Sequence, residues 1–195
     1  MSKKIIITGG LGYIGTELCK IYSGYSWHHK ITVFDNRFIS ERVKQIRDWN
    51  MDFIHGDILD KNLVRKHFSD VDVVHHLAGI TKVPRTKNES NEKQDAEIKN
   101  VGIQGTQNII DSIKDSCKII FPSTHVIFEG IKEVKKNIKE EEASNPVLSY
   151  SLSKSSNEMQ LKKSGKNYII LRLGSVYGYS SDSTRLDIMP NLFSK

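Results

Sequence analysis

Six short apolar runs, separated by polar stretches of helical spacing, set the pattern of this chain. The first, residues 5–8, is followed by glycines and then by Ile14, Leu18, Ile21 and Tyr22 at helical intervals. Further runs at 30–35, 52–55, 71–77, 118–121 and 168–173 read as strands, and 71–77 and 168–173 are continuous enough to be buried on both sheet faces. Between them the spacing predicts helices over 41–49, from an Asp60 N-cap through Phe68, over 95–116 and over 150–163. In the long helix Ile98, Val101, Gly105, Ile109 and Ile113 share one face. Residues 81–93, which contain Pro84, and the charged, unpatterned 130–146 read as loops. Strand and helix alternate throughout, which predicts an α/β doubly wound parallel sheet with helices on both faces and ligands at the carboxyl ends of the strands.

Composition narrows this picture only a little. A length of 195 residues suits one α/β domain. The net charge of +6 would suit nucleic acid if it were concentrated. It is not: the densest group, Lys132, Lys135, Lys136 and Lys139, is followed at once by Glu140, Glu141 and Glu142, so a solvated loop is expected. Cys19 and Cys117 lie in helix-like stretches without metal-ligand spacing, and are expected to be buried thiols in a reducing cytoplasm. No apolar run approaches a membrane span. The expectation is a soluble chain with no metal, no nucleic-acid or membrane partner, and long helices that offer a surface for a homodimer.

The chemistry is concentrated at strand ends. Gly10, Gly12 and Gly15 fit G-x-G-x-x-G, in which a tight turn, close backbone approach and tight helix packing present free amides to a pyrophosphate. Asp35 follows twenty residues after Gly15 at the end of the second strand, where a carboxylate takes the hydroxyls of an adenosine ribose and repels a 2′-phosphate. Arg37 works against that selectivity. Tyr150 and Lys154 stand four apart on one helix face, so the cation can stabilise a phenolate; an ordinary helix face is the bland alternative. Ser123 and Thr124 end the fifth strand, where a hydroxyl either reaches a reacting oxygen or merely caps the strand.

Taken together, Thr8 to Gly15, Gly56-Asp57-Ile58, His76-Leu77-Ala78-Gly79, Asn100 to Thr106, Tyr150 with Lys154, and Arg172 to Gly178 resemble the ordered motifs of the extended short-chain dehydrogenase/reductases. The branch they resemble is that of the NAD-dependent nucleotide-sugar epimerases and dehydratases. The resemblance implies a Rossmann domain over residues 1–178 and, in 179–195, the start of a largely missing substrate region. It implies NAD as cofactor, held by Gly9, Gly10, Gly12, Tyr13, Ile14 and Gly15 at the phosphates and by Asp35 and Asn36 near the ribose. Asp57 and Ile58 would hold the adenine, and Leu77, Ala78 and Gly79 would line the cofactor. Asn100 would steady the active-site helix, and Lys154 would also touch the cofactor ribose. Thr124, Tyr150 and Lys154 would be the catalytic residues, with Thr81, Ser123, Thr124, Tyr150 and Tyr177 around a nucleotide-diphosphate sugar.

Two departures stand out. Phe128 occupies the place of the family's tyrosine after the catalytic threonine, and Glu129 intervenes before Gly130. His125 and Val126 stand where dehydratases carry acidic residues and where decarboxylases keep a nearby glutamate, which favours epimerisation through a transient keto-sugar. A reductase or dehydratase of the same family, or a non-catalytic nicotinamide-binding sensor or scaffold, are the alternatives.

Overall fold

In the computed structural model, which describes residues 2–81 and 86–181, six parallel strands form one sheet. The strands are β1 (Lys4–Thr8), β2 (Lys30–Asp35), β3 (Asp52–His55), β4 (Val73–His76), β5 (Lys118–Thr124) and β6 (Asn167–Leu173), in the order β3-β2-β1-β4-β5-β6. That order reverses between β1 and β4, the doubly wound arrangement expected from the sequence. The helices are α1 (Tyr13–Ser23), α2 (Ser40–Asp48), α3 (Lys61–Phe68), α4 (Glu92–Lys99), α5 (Gly105–Ser112) and α6 (Ser149–Lys163).

The strands' side-chain alternation divides the interior into two cores. Ile6 and Phe34 join Val64, Phe68, Ile109 and Leu161 of α3, α5 and α6 on one face. On the other, Ile5, Ile7, Ile31 and Val33 meet Cys19 of α1 and Val43 and Ile46 of α2. Both cysteines are buried free thiols, as expected, and burial pushes the Cys19 thiol up to about 12. Asp60 caps α3, its carboxylate accepting from the Asn62 and Leu63 amides.

Several expectations need correction. The sixth strand is not buried on both faces: it is the sheet edge, and although Ile170 packs on the first core, Ile169 and Leu171 stay 40% and 44% exposed. The second core has no member from β5 or β6, so side chains pointing that way on β6 lack a covering layer among the described residues. The long helix is not uniform. It begins at Glu92, capped by Asn91, passes through a π-helical turn over Asn100–Gln104 and ends at Ser112. The i→i+5 pairing of a π turn leaves carbonyls short of intrahelical partners. Here α6 supplies them, through Asn157 Nδ2 to the Gly102 carbonyl at 3.0 Å and Gln160 Nε2 to that of Ile103 at 3.1 Å. Finally, β4 is shorter and β5 longer than the apolar runs suggested. The loop over 81–93 contains a short 3-10 turn, Lys87–Glu89, and gives way to α4 at Glu92; Pro84 lies outside the described residues. So do residues 182–195, most of the stretch expected to open a substrate region.

Among the described residues no helix is long and apolar enough to cross a membrane, and no group of three His, Cys, Asp or Glu side chains could hold a metal ion.

Candidate active site

The glycine turn joins β1 to α1. The left-handed residue is Gly9, with φ +66°, and a Cβ there would stand 2.8 Å from the Ala78 amide nitrogen; only glycine fits. Gly10, expected to make the turn itself, instead leaves room for Val33, whose Cγ1 would lie 2.5 Å from an added Cβ. Gly15 lets α1 lie on the turn, since a Cβ would fall 2.3 Å from the Gly9 carbonyl oxygen. Gly12 is the N-cap of α1, without a side chain to bond the first amides and with no acidic residue in the first turn. The uncapped amides and the positive end of the helix therefore suit an anion. At the same end the buried Thr16 hydroxyl has no hydrogen-bond partner among the described residues.

Asp35 is 5% exposed and wired into this turn: one oxygen accepts from the Leu11 amide at 2.9 Å, the other from the Arg37 amide at 2.9 Å. Asn36 Nδ2 links it toward Asp57 at 3.4 Å, and Asp57 accepts from the Leu59 amide at 2.9 Å. Ile58 is buried beside Gly105, and its carbonyl accepts from Asn108 at 2.9 Å, which ties this loop to α5. Leu77 and Ala78 complete the edge: their amides donate to the Thr8 carbonyl and hydroxyl at 3.2 and 3.1 Å, and among the described residues nothing lies within 4 Å of a Cβ built on Gly79. The carboxyl ends of β1 to β4 thus bring the predicted phosphate, ribose and adenine residues to one sheet edge. Their chemistry, with uncapped helix amides, a carboxylate and backbone that a Cβ would obstruct, fits an adenine dinucleotide.

The other half of the site rests on β5 and α6. The Lys154 ammonium donates to the Pro122 carbonyl at 2.8 Å, lies 4.4 Å from the Phe121 ring centroid and 5.8 Å from that of Tyr150. Although Lys154 as a residue is only half-buried, burial around its ammonium pulls the pKa down to about 8. Two residues beyond Pro122, Thr124 is 8% exposed and its oxygen accepts from the Val126 amide at 3.3 Å, opening the 3-10 turn His125–Phe128. The cap reading of Thr124 is therefore realised, and its hydroxyl proton remains available to a ligand.

Ser123 does not join the substrate side. Its hydroxyl donates to Glu158 Oε1 at 2.6 Å, inside a buried pair that Glu158 makes with Arg172 at 2.9 and 2.7 Å. Thr81, Asn100 and Tyr177 are exposed. Among the described residues the π-turn carbonyls and Glu129, which the sequence marks only as an intervening residue, help to steady α6, and Asn100 has no part in those bonds. Glu129 accepts from the Val147 and Leu148 amides at 2.9 and 2.7 Å and from the Ser151 hydroxyl, which fixes the helix start one residue before Tyr150. The signal available was its carboxylate ahead of a serine-rich helix N-terminus. His125 is exposed and its Nδ1 lies 3.2 Å from the Leu173 carbonyl, a link to β6. A separate cleft of about 550 Å³ opens at the amino ends of β1 to β3, where Lys4 and Lys30 pair with Asp70 and Asp52; none of the predicted site residues lines it.

Comparison with known proteins agrees with this geometry. The sequence model of the NAD dependent epimerase/dehydratase family matches residues 5–194. CDP-paratose 2-epimerase of Salmonella typhi is 33% identical over 69% of this chain, which spans 40% of that protein. dTDP-D-glucose 4,6-dehydratase of Dictyostelium discoideum is 28% identical over 90% of this chain and 44% of its own length. The chain thus spans less than half the length of these relatives. Among solved structures, UDP-glucose 4-epimerase from Brucella ovis in complex with NAD superposes with a TM-score of 0.73 at 26% identity, over 94% of this chain and 55% of that one. UDP-N-acetylglucosamine 4-epimerase from Methanobrevibacter ruminantium gives 0.77 at 26% identity, over 99% and 62%.

Proposed function

Because this chain belongs to the NAD-dependent epimerase/dehydratase family, we propose that it carries the oxidoreductase half-site of a nucleotide-diphosphate-sugar epimerase. The observation that carries this reading is the Lys154 ammonium, anchored on the Pro122 carbonyl one helical turn from Tyr150, at the end of the strand that presents Thr124. A phenol with an ordinary pKa of about 10 is a poor base at neutral pH. A cation in a partly desolvated pocket stabilises its anion, so Tyr150 can take the proton of a sugar hydroxyl and later return it. Thr124 hydrogen-bonds the reacting oxygen as it becomes a ketone. NAD, when bound, supplies the hydride acceptor for the oxidation and the donor for the return step.

Epimerisation is favoured over elimination by the two residues after Thr124. Val126 is apolar and His125, whose Nδ1 lies by the Leu173 carbonyl, is not a carboxylic acid, so neither is the acidic residue that the resemblance places there in dehydratases. The substrate class rests on the relatives, which act on CDP-, dTDP- and UDP-linked sugars by their names. The test is to incubate the protein and NAD with a UDP-hexose deuterated at the carbon whose hydroxyl inverts. Epimer that keeps its deuterium supports internal hydride return; loss of the label to solvent, or a dehydrated product, rejects it.

A further inference from the structure

Beyond β6, residues 178–181 run against the first turns of α1. The Tyr13 hydroxyl donates to the Gly178 carbonyl, the Ser180 hydroxyl to the Tyr13 carbonyl at 3.1 Å, and the Ser181 amide to Glu17 at 3.3 Å. Gly178 makes the bend with φ +129°, a conformation that residues with a side chain rarely adopt. One residue from elsewhere joins this segment to the phosphate turn. Arg42 on α2 donates through Nη1 to the Leu11 carbonyl and through Nη2 to the Ser181 carbonyl at 3.0 Å. Leu11 is itself held through its amide by Asp35, so the residue is fixed through both its N–H and its C=O.

We propose that Arg42 is a positioning residue that clasps residues 178–181 against the phosphate turn and thereby sets how fast NAD enters and leaves. The planar guanidinium suits this task, because two of its N–H groups reach two carbonyls from different parts of the chain in fixed geometry. While Arg42 holds this segment on the phosphate turn, the clasp hinders entry as well as exit. Its loss therefore accelerates both rates and changes the dissociation constant less than either. An epimerase gains from slow exchange, since the reduced cofactor must stay until it returns its hydride. The inference rests on the dinucleotide site above, not on the identity of the sugar.

Stopped-flow fluorescence with NADH measures both rates on the intact protein. Arg42→Ala should raise the exit rate about tenfold, the scale of one lost charged hydrogen bond, with a comparable rise in the entry rate. Arg42→Lys, a point charge that cannot bridge both carbonyls in the same way, should fall between. Gly178→Ala tests the same device without touching Arg42. Among the described residues a Cβ at Gly178 meets nothing within 4 Å, so the strain falls on the backbone bend; both rates should rise, and the double variant should gain little more. Exit that is faster while entry is unchanged would make Arg42 a direct ligand and overturn the clasp, as would unchanged rates in both single variants. Failure of the wild type to bind NADH at all would refute the dinucleotide site itself.

Discussion

The Lys154 ammonium lies 2.8 Å from the Pro122 carbonyl oxygen, and this bond, together with the Ser123–Glu158 bond, ties the helix bearing Tyr150 to the strand that ends in Thr124. It also places a cation where burial disfavours it, lowering the pKa from 10.5 to about 8. The folded protein therefore releases this proton before the unfolded chain does. Below pH 8 the cost of burying the charge is fully present, and between 8 and 10.5 the Lys154 contribution makes stability rise with pH. Cys19 and Cys117, whose thiols are raised to about 12 and 11, work in the opposite direction above pH 9. Lys154→Met isolates the lysine part: its stability relative to wild type should be greatest below pH 8 and shrink toward 10.5. Urea unfolding across that range measures it.

His76 predicts the acid limb. It is 2% exposed, with Nδ1 3.0 Å from the Thr8 hydroxyl and Nε2 2.9 Å from that of Thr106. Burial, helped by the Lys154 cation, pulls its pKa down to about 3. Since the unfolded chain takes this proton near 6.5, stability should fall as pH drops from 6.5 toward 3, by at most about 1.4 kcal/mol per unit from this residue. His76→Gln should unfold less steeply with acid over that window in a pH series of thermal melts. An unchanged slope would show that the ring is protonated in the folded protein.

Asp35 predicts cofactor choice. Asp35→Ala removes the carboxylate proposed to hold the ribose and the partner of the Leu11 amide, so NAD binding should weaken by about 1–3 kcal/mol. Calorimetric titration of NAD and NADP decides: tighter binding of NADP by the wild type would transfer the selecting role to Arg37.

Gly102 predicts how closely the long helix must lie on α6. A Cβ there would stand 2.0 Å from the Ser153 hydroxyl oxygen and 3.3 Å from its Cβ. Gly102→Ala should destabilise the protein by about 1–3 kcal/mol, the range for overpacking. Adding Ser153→Ala should recover part of that loss in chemical denaturation, because the nearer of the two contacts is gone.

Much of this was legible in the sequence. β2 and β3 start and end where the apolar runs do, and the Asp60 cap follows from its place before a helical period. Other features leave no unique trace. The spacing of Ile98, Val101 and Gly105 reads the same through a π turn as through an α-helix. A continuous apolar strand such as β6 does not reveal whether both faces are covered, and Ile169 and Leu171 are not. Neighbours on a strand point to opposite faces, so Ser123 and Thr124 cannot both face the site, but which of them turns away shows only in the Ser123–Glu158 bond. Arg42 was beyond reach, since its partners lie 31 and 139 residues away, and Glu129 left only the trace of a carboxylate ahead of a serine-rich helix start, 18 to 22 residues from its partners.

The measurement closest to the central claim is the turnover of Tyr150→Phe against wild type, with NAD and whichever nucleotide sugar the wild type converts. The substitution keeps the ring and removes one hydroxyl, so NAD affinity and thermal stability should hold while turnover drops at least ~10²–10⁴-fold. A Tyr150→Phe protein that binds NAD normally and converts the sugar at the wild-type rate would contradict the account and return Tyr150 and Lys154 to the status of an ordinary helix face.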